Sequence, residues 1–167
     1  MPRMIDLNAT TYWWLPAASI TNVAAISAAL LTSTANISAY VVASTKVGPA
    51  SSDTISEKSI TDVANCVVPV VGNYEGTLVA FRDFTAGVPS ATDVLTTVAN
   101  TAGVAGWIVR RQGFASSVAA ALGQIVEAYK VMTDNPQPSA GSGDGYIKTT
   151  IPLLPQGVFS TASTLVA

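Results

Sequence analysis

The sequence predicts a mainly β domain of sandwich or barrel-like form with a flanking α-helix, and three observations lead there. Runs rich in β-branched and aromatic residues (TTYWWL, YVVAS, WIVRRQ, IVEAYKVMT) recur along the chain, parted by clusters of Gly, Pro, Ser and Asp. Some runs are partly apolar on both alternating faces: Thr77, Val79 and Phe81 alternate with Leu78, Ala80 and Arg82, as in a strand packed between two layers. The strongest helix signal opens at Ser90. The 167 residues suffice for one domain, residues 1–167, with a sizeable core, since a chain of this length buries about 70% of its unfolded surface.

Thr10 to Leu15 is the first expected strand, bounded by Pro16. Ser19 or Thr21 then caps a short helix to about Leu31, with Ile20, Val23, Ala24, Ile26, Ala29 and Leu30 partly at helical spacing. Tyr40 to Ser44 returns to strand character. KVGPASSDT begins an exposed loop over about residues 46–62, opened by Lys46; within it Ile55 to Val63 reads as a weakly polar strand or loop, and Asp53, Glu57, Lys58 and Asp62 form a charge cluster that ordinarily makes a solvated face. Cys66 to Val71 and Gly76 to Phe84 read as two core strands. In the helix that follows, Ser90 or Thr92 is the N-cap, Asp93 favours the dipole from the first turn, and Val94, Leu95, Val98 and Ala102 line one face before Gly103 ends it.

Trp107 to Gln112 is a strand on which Arg110 and Arg111 must face opposite ways, so one pairs or meets solvent and the other enters an interface or a lumen. Ile125 to Thr133 and Tyr146 to Leu154 flank a loop over about residues 134–145. There Pro136 and Pro138 stop the first strand and Asp144-Gly145 turns into the second, giving a protruding hairpin. Gly157 to Ala167 is an apolar, β-leaning C-terminal arm.

Charged residues make up 11% of the chain, against about 25% in ordinary soluble domains, while 49% is apolar. A folded monomer needs a charged, solvated exterior, so a chain this poor in charge is expected to hide much of its surface against copies of itself. The net charge of −2 supplies no cluster of Lys and Arg for gripping phosphates. Membrane anchoring is not expected: the uncharged stretch from Leu7 to Thr45 is interrupted throughout by Ser, Thr and Asn, and MPRMIDLNATTYWWLP lacks the pattern of a secretory signal.

The inventory for chemistry is thin. Without any His, neither a Ser triad nor a Cys-His pair can form, and the single cysteine, Cys66 within CVVPVV, reads as a small buried hydrophobe rather than a zinc ligand. The ten acids are scattered, and GSGDG lacks the Lys-Ser/Thr continuation of a phosphate loop. No enzyme activity, cofactor or metal is expected. Trp13 and Trp14, adjacent on a strand, face opposite ways: one belongs to the core and the other to an interface.

NATTYWWLP, TDVANCVVPVVGNYEGTLVAFRDF, GWIVRRQG, EAYKVMTDNPQ, a Gly/Ser-rich loop and YIKTTIPLLPQG follow one another in an order that resembles the major tail proteins of long-tailed bacteriophages, especially those infecting actinobacteria. The similarity spans essentially the whole chain and rests on that order rather than on one motif. It implies a tail tube fold whose inner sheet is completed by neighbouring subunits, in hexameric rings stacked into a hollow tube. It also implies partners: other copies of the chain, a tape measure protein, tail terminator and tail tip proteins, and double-stranded DNA that passes through the lumen without specific binding. The alternatives are a capsid decoration or head-tail connector subunit, and a secreted carbohydrate-binding β-sandwich. Under the tube reading, candidate inter-subunit or inter-ring contacts are Trp13, Trp14, Lys46, Asp53, Glu57, Lys58, Arg110, Arg111, Asp134, Asp144, Leu153, Leu154 and Phe159.

Overall fold

A computed structural model describes the chain apart from residues 1–8, 33–34, 58–65, 92, 94–100 and 139–145. Among the described residues, ten strands account for most of the regular structure: β1 (Thr10–Pro16), β2 (Ala25–Ser27), β3 (Lys46–Glu57), β4 (Cys66–Phe81), β5 (Phe84–Thr85), β6 (Val88–Pro89), β7 (Ala105–Gln112), β8 (Ile125–Thr133), β9 (Gln137–Pro138) and β10 (Lys148–Val166). The main sheet runs β1-β7-β8-β10-β4-β3, antiparallel along that path, with β9 added to β10 antiparallel and β2 parallel; β5 and β6 form a separate small hairpin. The mainly β expectation therefore holds.

The sheet closes on itself through a segment that is hardly strand at all. Between residues 35 and 42 the backbone bonds first to β1, through Trp14 N–H to Ala35 O and Ile37 N–H to Tyr12 O at 3.0 Å each. It then crosses to β4, where Val42 N–H donates to Val79 O and Phe81 N–H to Tyr40 O, both at 2.8 Å. The cycle β1-β7-β8-β10-β4-connector-β1 is thus a closed barrel, and closure removes the edges that those strands would otherwise expose.

Two cores follow from the strand period of two. Trp14, Leu78, Ile108, Tyr129, Val131, Ile151 and Leu153 fill the barrel interior. Trp13, Leu15, Trp107, Val109, Val126, Ala128 and Leu165 point outward from the same walls and are covered by Ile20, Ile26 and Leu31. Strands apolar on both faces are what this arrangement requires. At the tightest interior point, Gly106 lies under the Trp14 indole: a Cβ there would stand 2.3 Å from Trp14 Cζ2.

Several local expectations are corrected. Residues 19–31 form turns, the short strand β2 and one 3-10 turn over Ala28–Leu30, not a capped helix, because the segment's apolar residues are used as a lid on a sheet face. The loop expected from Lys46 is strand β3 as far as Glu57, in spite of its Gly, Pro and Ser. Pro49 is tolerated because β3 is an edge strand, whose outer side needs no ladder bonds. Tyr40 to Ser44 contributes a single bridge at Val41 rather than a strand. The two strands expected on either side of residue 74 are one, β4, since Gly72 and Gly76 admit Phe159 and Leu153 close to the backbone instead of turning it. Most of the helix expected from Ser90 lies outside the described residues, as does the hairpin tip at 139–145.

The C-terminal arm is strand, as its β-leaning composition suggests, but it is not separate: residues 157–166 continue β10, paired with β8 and β2, and Leu165 is buried. Gly157, with φ of 74°, sits inside a register shift between Pro155 and Phe159. The Tyr74 hydroxyl plugs this bulge. It accepts from Gln156 N–H at 2.6 Å and donates to Lys130 O, satisfying backbone groups that the bulge takes out of the ladder.

Candidate functional site

Two kinds of surface are left unfinished by the closed barrel: one sheet edge and the two barrel ends. The edge is β3. It pairs with β4 from Lys46↔Thr77 to Glu57↔Cys66, and among the described residues no strand lies on its other side. Beyond Leu153 the β4 strand no longer pairs with β10, so the distal half of β3 and β4 continues as a two-stranded ribbon. Such a ribbon is marginal alone in water. Ile55 and Val71 on it are 52% and 53% exposed, and Asp53 is exposed beside Asn73, whose amide donates to its carboxylate at 3.0 Å.

One barrel mouth is a polar cup of about 340 Å³ between β1, β7 and the closing connector, lined by residues that include Tyr12, Ser38, Arg110 and Gln112. Inside it, Arg110 Nε donates to Glu127 Oε2 at 3.0 Å, and the Tyr129 hydroxyl donates to the same oxygen at 2.7 Å. Burial works to lower the Arg110 pKa, but the Glu127 carboxylate outweighs it and leaves the guanidinium above its ordinary value. Burial and the bond to Glu127 together push the Tyr129 phenol above its usual range.

On the outer face, Arg111 is fully buried. Its Nη1 donates to Ala119 O at 3.1 Å and Gln124 Oε1 at 3.0 Å, and its Nη2 donates to Val118 O at 2.6 Å and Ala115 O at 3.3 Å. The cation lies 5.2 Å from the Trp13 ring centroid and 5.1 Å from that of Phe114. No carboxylate faces it among the described residues; the carbonyls of the 113–124 loop and two aromatic rings take that place. Arg111 therefore staples this loop to the barrel.

The candidate contact residues separate accordingly. Trp13 and Trp14 are both buried, at 2% and 8% exposure, so neither is offered to a neighbour: a sheet with a core on each face consumes both. Leu153 is likewise interior, whereas Leu154 points outward and is exposed. Arg110 pairs with Glu127 as one of two neighbouring arginines was expected to pair, but Arg111 enters its own chain's loop rather than an interface or lumen. Phe159 is half-buried in an aromatic cluster with Tyr74 and Tyr129, at ring distances of 5.1 and 6.2 Å. Lys46 and Asp53 are exposed on β3, Glu57 ends that strand, and Asp134 is half-buried just past β8. Lys58 and Asp144 lie outside the described residues. Ile55, Val71 and the apolar loop residues Phe114, Val118 and Leu122 were missed. For Ile55 and the loop residues the signal was available in ISE and FASSVAAAL, apolar residues in segments too polar or too small-residued to form a core; Val71 ends CVVPVV, which reads as core.

No helix among the described residues is long and apolar enough to cross a membrane, and none of them forms a cluster of three or more His, Cys, Asp or Glu able to hold a metal.

Comparison with known proteins gives the class first. The chain matches the phage tail tube protein family over residues 1–167 and belongs to it, which places it in the virion tail. Among solved structures, a chain of the six-fold symmetrised anti-feeding prophage baseplate shares the fold, with a TM-score of 0.53, 11% identity and 96% of each chain covered. A comparison with curated proteins finds no match.

Proposed function

We propose that this chain is the repeating, non-enzymatic subunit of the tail tube, closing into hexameric rings that stack into a hollow cylinder. The cylinder encloses the tape measure protein during assembly, is capped by terminator and tip proteins, and later conducts double-stranded DNA. The observation that carries the reading is the open edge and projecting ribbon of β3 and β4, whose exposed Ile55 and Val71 need a cover that the described residues do not supply. In a ring, each ribbon lies on the next subunit, and the aggregation tendency of a free edge goes into one closed product. Six copies fit the six-fold symmetrisation of the baseplate that contains the similar chain. A net charge of −2 is compatible with a wall to which phosphates do not adhere, as DNA passage requires.

Negative-stain microscopy of the purified protein at rising concentration tests this. The wild type is expected to form rings with a central hole and tubes built from them. The Ile55→Lys/Val71→Lys variant is expected to remain monomeric with an unchanged circular dichroism spectrum, because both positions lie outside the two cores. Tubes of wild-type length from that variant would contradict the role given to the ribbon; single rings that never stack would favour a connector.

A further inference from the structure

β10 runs as one strand, with two register shifts, from one end of the barrel to the other, which makes the two ends comparable. From Lys148 to Thr164 it covers roughly 50 Å at about 3.3 Å per residue. At its first residue it pairs with Phe81, and there the β5–β6 hairpin presents Phe84 and Val88 to solvent. At its far end Thr164 pairs with Ile125, and Leu165 exchanges backbone bonds with Gly123 and Gln124 of the loop that Arg111 staples. That loop displays Val118 and Leu122, and Leu122 is 64% exposed. Each end thus carries an ordered apolar patch, and neither patch is covered by the described residues of its own chain.

The polar groups at the two ends are complementary as well. The cup at the stapled end holds a partly exposed guanidinium: Arg110 engages Glu127 through Nε and Nη2, leaving Nη1 without a partner among the described residues, and Gln112 lines the same cup. At the opposite end, Asp134 leaves β8 with no ion pair among the described residues; its carboxylate accepts only the neighbouring Asn135 N–H. One end offers cationic and amide donors with an apolar loop; the other offers the Asp134 carboxylate with an apolar hairpin, where Arg82 is held by Asp93 and stacks on Phe84 and Lys148 lies over the Phe81 ring.

We propose that these two ends are the stacking faces of the tube: the 113–124 loop and Arg110 cup of one copy receive the β5–β6 hairpin and Asp134 of a second copy in the next ring. The inference rests on the tube reading above and assigns its axial contact. Different patches meet, so the contact is heterologous: it does not close and therefore propagates as a filament. Burying a carboxylate against a guanidinium at each junction fixes the polarity, because like ends would bring two arginines or two aspartates together. Arg111, by holding the loop in shape beforehand, spares the junction the entropy of ordering it.

A complementation experiment tests this. Leu122→Asp blocks one end and Val88→Asp the other; both sites are exposed turn or hairpin positions, and melting temperature confirms that each variant folds. Each variant alone is expected to stop at single rings, with mean tube length at least tenfold below wild type. An equal mixture is expected to give two-ring particles joined through their unaltered faces, and no longer species. Asp134→Lys should shorten tubes as Val88→Asp does, while Asp134→Glu should not. Long tubes from either blocked variant, or a mixture that stays at single rings, overturns the assignment while leaving the subunit reading intact. Wild-type protein that never polymerises overturns both.

Discussion

Gly106→Ala is expected to destabilise the fold by about 3 kcal/mol, at the upper end of what overpacking usually costs. The new methyl carbon would stand 2.3 Å from Trp14 Cζ2, 2.7 Å from Cε2 and 2.8 Å from Cη2, so the indole must leave its place. It has nowhere close to go, since Trp14 is enclosed by the barrel interior and its strand is tied on one side to β7 and on the other to the closing connector. At roughly 2–4 °C per kcal/mol for a chain of this size, the melting temperature should fall by about 6–12 °C. Trp14→Phe removes the colliding six-membered ring and leaves a cavity, so it costs stability alone but relieves the clash that Gly106→Ala creates. The Gly106→Ala/Trp14→Phe double variant should be more stable than the sum of the two single losses, with a coupling of at least about 1 kcal/mol. Strict additivity in thermal melts would mean that Gly106 and Trp14 do not meet as described.

Arg111→Met is the second large effect, expected at about 3 kcal/mol, the worth of roughly two charge-assisted hydrogen bonds. Methionine keeps most of the apolar stem against Trp13 but orphans the carbonyls of Val118, Ala119 and Ala115, which the guanidinium had gathered. The loss falls unevenly: the 113–124 loop opens first, while the barrel walls keep their ladders. Limited proteolysis should then cut within residues 114–122 in the variant under conditions that spare the wild type. Arg111→Lys should fall between the two, because one ammonium with three donors cannot reach every acceptor of a planar fork. Equal melting temperatures and equal protease resistance would remove the staple from the account.

The architecture was legible where side-chain period and burial agree. TTYWWL, WIVRRQ and IVEAYKVMT became β1, β7 and β8 with boundaries shifted by two residues or fewer, because long β-branched and aromatic side chains on both faces suit a wall between two cores. Illegible were the places where tertiary pairing overrides local preference. KVGPASSDT carries every mark of a loop, yet β4 supplies it with a ladder and, as an edge, it keeps Pro49. The break expected between the two core strands, around Gly72, is instead continuous β4, where Gly72 and Gly76 let Phe159 and Leu153 come close, and Gly157 makes a bulge inside β10. Residues 35–42, whose YVV was expected to open a strand, make only isolated bridges and nonetheless close the barrel, through backbone bonds that no pattern of side chains announces. For the candidate surfaces, charge was the misleading cue. Arg111 and the two tryptophans attract attention in a charge-poor sequence but are consumed internally, and the unfinished surface is marked by isolated apolar residues such as Ile55, Val71 and Leu122.

The central claim is that the outer side of β3 is completed by a second copy of the chain. Amide hydrogen exchange over residues 47–57, followed in dilute monomer and in sedimented tubes, addresses it most directly. Backbone N–H groups on that side have no strand partner among the described residues of the monomer and should exchange quickly there, then slow by about a hundredfold or more in the tube, while the β7 and β8 amides stay protected in both. Equal, fast exchange along β3 in monomer and tube would mean that the edge stays open to water and that something else holds the subunits together.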